Sequence, residues 1–274
     1  MRAVGERVRD LVQRRLLLLG DTINHLIQVR IMDSATVLAA KGFTAVLPVL
    51  FVVATYFPSS LRDHLKDSVR GAAGLQGASL TQVTSLLDAP DNDTRQAYGL
   101  AGFLIVLVSA TSFSRSLQAM CERCWHMPKA ASRVAAWRWF AWLSVFLLAA
   151  VTGVALYGWL GMPAVLVPGI VLGVLFWWWT QRLLLARRVG WLPLLPGALL
   201  AGISLAAWLA ISRVYLPNEL NRSIARYGPL GSVFTLLSWI LCCTLILTVS
   251  FALGYLIIRR EPFSRWFAAP DEPD

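Results

Sequence analysis

The residues able to do chemistry in this chain are few and lie far apart. Cys121-Glu122-Arg123-Cys124 is a CxxC followed closely by His126, a pattern that binds zinc or cycles between thiol and disulfide when a second pair completes it. No second pair exists, and the other reading is two reduced cysteines on a helix continuing out of the preceding apolar stretch. Cys242 and Cys243 sit in an apolar run, as packing residues do. The three histidines, His25, His64 and His126, are scattered. The long apolar stretches hold no Asp, Glu or His, so hydrolytic or nuclease chemistry lacks its convergent acids and metal ligands, and an enzyme is not expected. The acidic turn Asp88-Ala89-Pro90-Asp91-Asn92-Asp93 does not have the ligand spacing of an EF-hand, and no metal or cofactor is expected there or elsewhere.

What remains is a set of cations and hydroxyls inside apolar sequence. Lys41 lies within one apolar run, where a charge is costly enough to suggest function, although its ammonium is near enough to the membrane surface to snorkel. Thr44 follows one turn later. Ser109, Thr111, Ser112, Ser114 and Arg115 end a second run, and Thr244, Thr248 and Ser250 lie in the last. Together these residues either line a polar cavity that binds an anionic substrate or make ordinary hydrogen bonds between helices. The candidate binding residues are therefore Lys41, Thr44, Thr111, Ser112, Arg115, Thr244 and Thr248.

The elements that must position them follow from hydropathy. With mean hydropathy of +0.61, 57% hydrophobic residues and 15% charged ones, the chain cannot present a soluble surface. Uncharged runs lie between Lys41 and Arg62, Arg95 and Arg115, Arg138 and Arg182, Arg188 and Arg213, and Arg226 and Arg259. A spanning helix takes roughly 20 apolar residues, and the third run, broken at Gly161-Met162-Pro163, holds two. The fold class expected is all-α, a polytopic membrane protein with six transmembrane helices at 36–57, 96–114, 138–160, 163–181, 192–212 and 230–258. Segments such as Val145 to Val151 are apolar on every face, which excludes the alternation of a β-barrel.

Pro48 in the first span and Pro168-Gly169 in the fourth take comparable positions in two three-helix halves, where interrupted helices would mark a transport site. Glycines 153, 158, 169, 173, 197 and 202 permit close helix contacts, within one chain or in a homo-oligomer.

The net charge of +10 suggests nucleic acid at first sight, but its distribution suggests a bilayer. Seventeen Lys and Arg fall on the side of the termini and the 115–138 and 182–188 loops, against seven on the other. The richer side is cytoplasmic by the positive-inside rule, so both ends are inside. Trp125, Trp137, Trp139, Trp142, Trp177, Trp178, Trp179, Trp191 and Trp266 cluster toward that same interface. Anionic membrane lipids, not nucleic acid, are the expected partners. The Leu16–Leu19 run is too short for the core of a cleaved signal.

Three regions result. Residues 1–34 form a cytoplasmic amphipathic segment, its apolar stripe of Val4, Val8, Leu11, Val12, Leu16 and Leu19 lying on the inner leaflet or against the bundle. Residues 35–258 form the transmembrane domain with an outer loop at 58–95, in which Arg62, Lys66 and Arg70 alternate with Asp63 and Asp67 at helical spacing. Residues 259–274 form a cytoplasmic tail.

Three stretches stand out: Ala39-Ala40 through Leu47-Pro48, Leu117-Gln118-Ala119-Met120 leading to Trp125 and Pro128, and Arg187-Arg188-Val189-Gly190-Trp191 with Pro196-Gly197-Ala198-Leu199, Tyr227-Gly228-Pro229-Leu230-Gly231 and Trp239. In that order they resemble the YihY/BrkB family of bacterial inner-membrane proteins, once labelled ribonuclease BN. The chain departs from the family at Glu122, where an Asn is common, and at Val249-Ser250-Phe251-Ala252, where the family has Gly-Ala-Glu. The resemblance implies the inner membrane, six spans and a part in moving lipid or lipopolysaccharide precursors, and nothing in these residues supports the ribonuclease label. The competing reading is a scaffold that recruits envelope proteins through residues 1–30 and the outer loop.

Overall fold

A computed structural model describes residues 30–56, 92–128, 141–142, 144–146, 148–149, 152 and 162–259. The described residues are helical with short turns, and no strand occurs among them. Five long helices are defined: α1 (Ile31–Tyr56), α2 (Asn92–Cys124), α3 (Met162–Leu184), α4 (Trp191–Tyr227) and α5 (Pro229–Arg259). The described positions between 141 and 152 are also helical, where the third span is expected. Residues 1–29 of the amphipathic segment, 57–91 of the outer loop, the rest of the third span and 260–274 of the tail, with His25 and His64, lie outside the described residues, whereas residues 31–34 begin α1 and residues 92–95, including Asn92 and Asp93 of the expected acidic turn, begin α2.

α4 and α5 are each long and apolar enough to cross a membrane. Over their apolar windows the backbone groups pair within the helix, which is the arrangement a lipid solvent imposes. The boundaries of α1, α3 and α5 fall within a few residues of the expected spans, but two helices run on well past them. α2 continues ten residues beyond 114 and takes the CxxC onto its last turn. α4 runs to Tyr227 instead of ending near 212, passing through Pro217 and carrying Arg213, Arg222 and Arg226 on helix. Its 37 residues reach about 55 Å at 1.5 Å per residue, far more than a bilayer core requires.

The expected helix breaks do not occur. α1 is continuous through position 48, and α3 is continuous through Pro168 and Gly169. Proline deletes one backbone hydrogen bond, and in a membrane helix the surrounding turns hold the path without a break.

α5 is the hub, packing on α4, α1 and α2, while α3 packs on α4 and α1 on α2. Trp142 links the beginning of the third span to both sides, its ring 5.8 Å from Phe113 of α2 and 6.3 Å from Phe176 of α3. Its indole N–H donates to Thr180 Oγ1 at 3.3 Å. The buried cluster of Leu38, Leu117, Met120, Trp142, Leu184, Leu194, Leu247 and Phe251 lies toward one end of the bundle, the end sequence assigns to the cytoplasm.

Glycines set the closest approaches. A Cβ on Gly254 would stand 2.4 Å from Gly197 Cα, and one on Gly202 would stand 2.9 Å from the backbone nitrogen of Val174. The contacts that Gly197 and Gly202 permit are therefore within the chain. Gly228, at φ 62, turns α4 into α5 in one residue, a conformation that an L side chain would resist.

Between α3 and α4 the turn is made by Ala186 and Arg187, both left-handed at φ 58 and 60. Each such residue costs about 1 kcal/mol. Hydrogen bonds offset the strain, from Arg187 N to Arg182 O (3.1 Å), from Arg188 N to Leu185 O (3.1 Å) and from Arg182 Nη1 to Val189 O.

Candidate functional site

The seam between α1 and α2 brings two of the candidate residues, Lys41 and Ser112, together through Ser116. The helices are antiparallel, with Ser34 facing Arg123 and Lys41 facing Ser116. Lys41 Nζ donates to Ser116 Oγ at 2.7 Å, and Ser116 Oγ in turn donates to Ser112 O at 3.1 Å. Arg123 Nη1 donates to Ser34 Oγ at 2.9 Å, and Ser34 is buried. Each cation thus meets a neutral hydroxyl across the seam.

Carboxylates that would neutralise them are engaged elsewhere. Asp33, the one acid in α1, is held by Arg30 at 2.6 Å. Glu122 of α2 is held by Arg188 at 2.7 Å and by Gln118 Nε2 at 3.0 Å. The other acid of α2, Asp93, belongs to the opposite end of the helix, and α5 has none. Among the described residues the seam therefore keeps net positive charge in an apolar setting, where an anion would be bound strongly.

Of the other candidates, Thr44 and Thr111 turn their hydroxyls back on their own helices, to Lys41 O at 3.0 Å and Val108 O at 2.9 Å. Arg115 is exposed on the α2 face beside them, at the end of the same run, and makes its own contacts.

Thr244 and Thr248 require a correction. They do not line a cavity with the α2 hydroxyls, because both are buried inside the packed core. Thr244 Oγ1 donates to Ala35 O of α1 at 2.9 Å, and Thr248 Oγ1 lies 3.0 Å from Met120 Sδ of α2 and 2.7 Å from Thr244 O. In a low-dielectric core a hydroxyl takes the nearest acceptor, so these two tie α5 to its neighbours. Ser250 does the same toward α4, 3.1 Å from Ser204 Oγ. Ser114 is fully buried, and its Oγ has no hydrogen-bond partner among the described residues.

Cys121 and Cys124 are free, helical and fully buried beyond the expected end of the second span. Burial pushes both thiols up, Cys124 to about 12, with Arg123 beside it pulling the other way. Protonated thiols are poor nucleophiles and poor metal ligands, which favours the reading of two reduced cysteines packed on a continuing helix. Among the described residues no group of three or more His, Cys, Asp or Glu converges.

Sequence reasoning did not single out Ser34, Ser116, Arg123 or the Glu122–Arg188 pair as partners. The signal for the first three was the sevenfold interval shared by 34 and 41 on one helix and 116 and 123 on the other. The pair joins α2 to the α3–α4 turn, with Arg188 Nη1 also reaching Pro128 O at 2.7 Å.

The family model described as Virulence factor BrkB matches residues 22–269, from before α1 to beyond α5. No curated protein and no solved structure matches the chain.

Proposed function

Because the chain belongs to the BrkB virulence factor family, whose members are membrane proteins, we propose that it binds an anionic amphipathic envelope lipid and moves it across the bacterial inner membrane. In this reading it crosses that membrane six times with both ends in the cytoplasm, works without catalysis, cofactor or nucleic acid, and can assemble with copies of itself. The observation that carries it is Lys41, an ammonium on a mostly apolar helix whose partner, Ser116, is a neutral hydroxyl and which meets no carboxylate among the described residues. A phosphate or carboxylate headgroup would supply the missing charge. Arg115, exposed one residue before Ser116, would attract the headgroup to the seam. Thr111 and Ser112 border that approach.

The test is lipid scrambling in vesicles containing the purified full-length protein, read by dithionite quenching of a fluorescent phosphatidylglycerol. The wild-type protein is expected to accelerate loss of the protected inner-leaflet signal, and Lys41→Ala and Arg115→Ala to abolish the acceleration at unchanged incorporation. Wild-type rates in both variants would overturn the site. If deletion of residues 1–30 abolished cellular function while these variants were neutral, the protein would be a scaffold instead.

A further inference from the structure

The positive seam has two rungs, and the second has no part in the reading above. Ser34 and Lys41 are seven residues apart on α1, as are Ser116 and Arg123 on α2, which sets Lys41–Ser116 and Arg123–Ser34 about 10 Å apart along the seam. Arg123 is exposed, although Ser34, which orients its guanidinium, is buried. Both acids close to these rungs, Asp33 and Glu122, are committed to Arg30 and Arg188. Two oriented cations with no carboxylate partner among the described residues, at a separation two helical turns fix, make a site for two oxyanions.

We infer that Arg123 and Ser34 form a second phosphate subsite, and that the ligand of the seam is a lipid bearing two phosphates on separate sugar or glycerol units. The inference rests on the anionic-lipid reading and narrows it. A pyrophosphate does not fit the spacing, because its two phosphorus atoms share one bridging oxygen and cannot reach both rungs. Guanidinium at the outer rung suits a headgroup at the interface, since its planar fork takes two phosphate oxygens at once. Ammonium at the inner rung is a point charge that accepts the second phosphate in any rotation.

The experiment is native mass spectrometry of the full-length protein in detergent, titrated separately with cardiolipin, with phosphatidylglycerol at twice the concentration to match phosphate, and with inorganic phosphate. The wild-type protein is expected to take one cardiolipin with about tenfold preference over phosphatidylglycerol, the size of one added charge-assisted contact. Arg123→Gln and Ser34→Ala should remove that preference and leave phosphatidylglycerol binding intact, while Arg123→Lys should restore most of it. Lys41→Gln should weaken both lipids. Equal binding of the two lipids by the wild-type protein, or a preference that survives Arg123→Gln, would overturn the two-phosphate site and leave the Lys41 reading standing. No selective uptake of either anionic lipid over phosphatidylcholine would overturn both. Displacement of cardiolipin by millimolar inorganic phosphate would show that the subsite takes free anion and would overturn the lipid assignment.

Discussion

Glu122 is the residue whose environment carries the largest single consequence. Its carboxylate is nearly buried and accepts from both Arg188 and Gln118, so it joins the end of α2 to the α3–α4 turn. Removing one partner of such a pair leaves the other charge stranded, which costs more than the pair itself contributes. Arg188 is partly exposed, which reduces the penalty. Arg188→Ala should therefore destabilise the protein by about 1–3 kcal/mol, visible as a lowered unfolding midpoint in detergent. Glu122→Gln, which keeps a hydrogen-bond acceptor and strands no carboxylate, should cost less. Cys124 makes a second prediction through pH. Its thiol is raised from an ordinary value of 9.0 to about 12 by burial. The native state holds that proton between those two values while the unfolded chain releases it, so the stabilising contribution is complete below pH 9 and is lost as pH rises toward 12. Unfolding midpoints should fall over that window in the wild-type protein and fall less in Cys124→Ala, and maleimide labelling of Cys124 at pH 7 should require unfolding.

Helices are where sequence and structure can be compared most directly. Uncharged runs located α3 and α5 to within a few residues, because a helix in lipid must be apolar on every side and charge marks its limits, whereas α1 begins ten residues before its run and carries Asp33 and Lys41. The same rule misplaced the end of α4. Arg213 was read as the edge of the span, yet the helix continues to Tyr227, because charge ends the apolar solvent and not the helix. Pro48 and Pro168 misled for a related reason, and Pro217 likewise leaves α4 unbroken: one lost hydrogen bond does not stop a helix supported by its neighbours. Hydroxyl direction was beyond the sequence altogether. Thr244 and Thr111 look alike in an apolar run, and only packing shows that one crosses to Ala35 while the other bonds its own turn. The glycine contacts permit a controlled test of the packing. Gly254→Ala must push α5 off Gly197 and should cost about 1–3 kcal/mol, whereas Gly169→Ala, with nothing within 4 Å of its Cβ, should leave the unfolding midpoint unchanged or slightly raised. Equal midpoints for the two variants would mean that α4 and α5 do not meet at this pair.

At the scale of the molecule the central issue is which end of the bundle faces the cytoplasm. The tightly packed core, the Glu122–Arg188 pair and the two cation–serine rungs all fall toward one end, where α2 finishes and α4 begins. At the other end α4 and α5 extend together to the turn at Gly228, with Tyr227, Leu230 and Phe234 exposed around it. The charge count predicts that the first end is inside. An anionic headgroup would then enter from the inner leaflet, at the end where Arg115 and Arg123 are exposed, and the α4–α5 hairpin would stand outside. This orientation depends on an even number of crossings, and parity can be measured without knowing the substrate. A reporter active only in the cytoplasm, fused after Asp274, should be active, and alkaline phosphatase inserted at Gly228 should be active, since that enzyme folds only outside. The same pair of reporters placed at Met1 and within residues 58–95 should repeat the pattern. If Met1 and Asp274 reported opposite sides, the number of crossings would be odd and the six-span arrangement would fail. If both ends reported outside, six spans could stand, but the cation seam would face the outer leaflet and the direction of lipid entry would reverse.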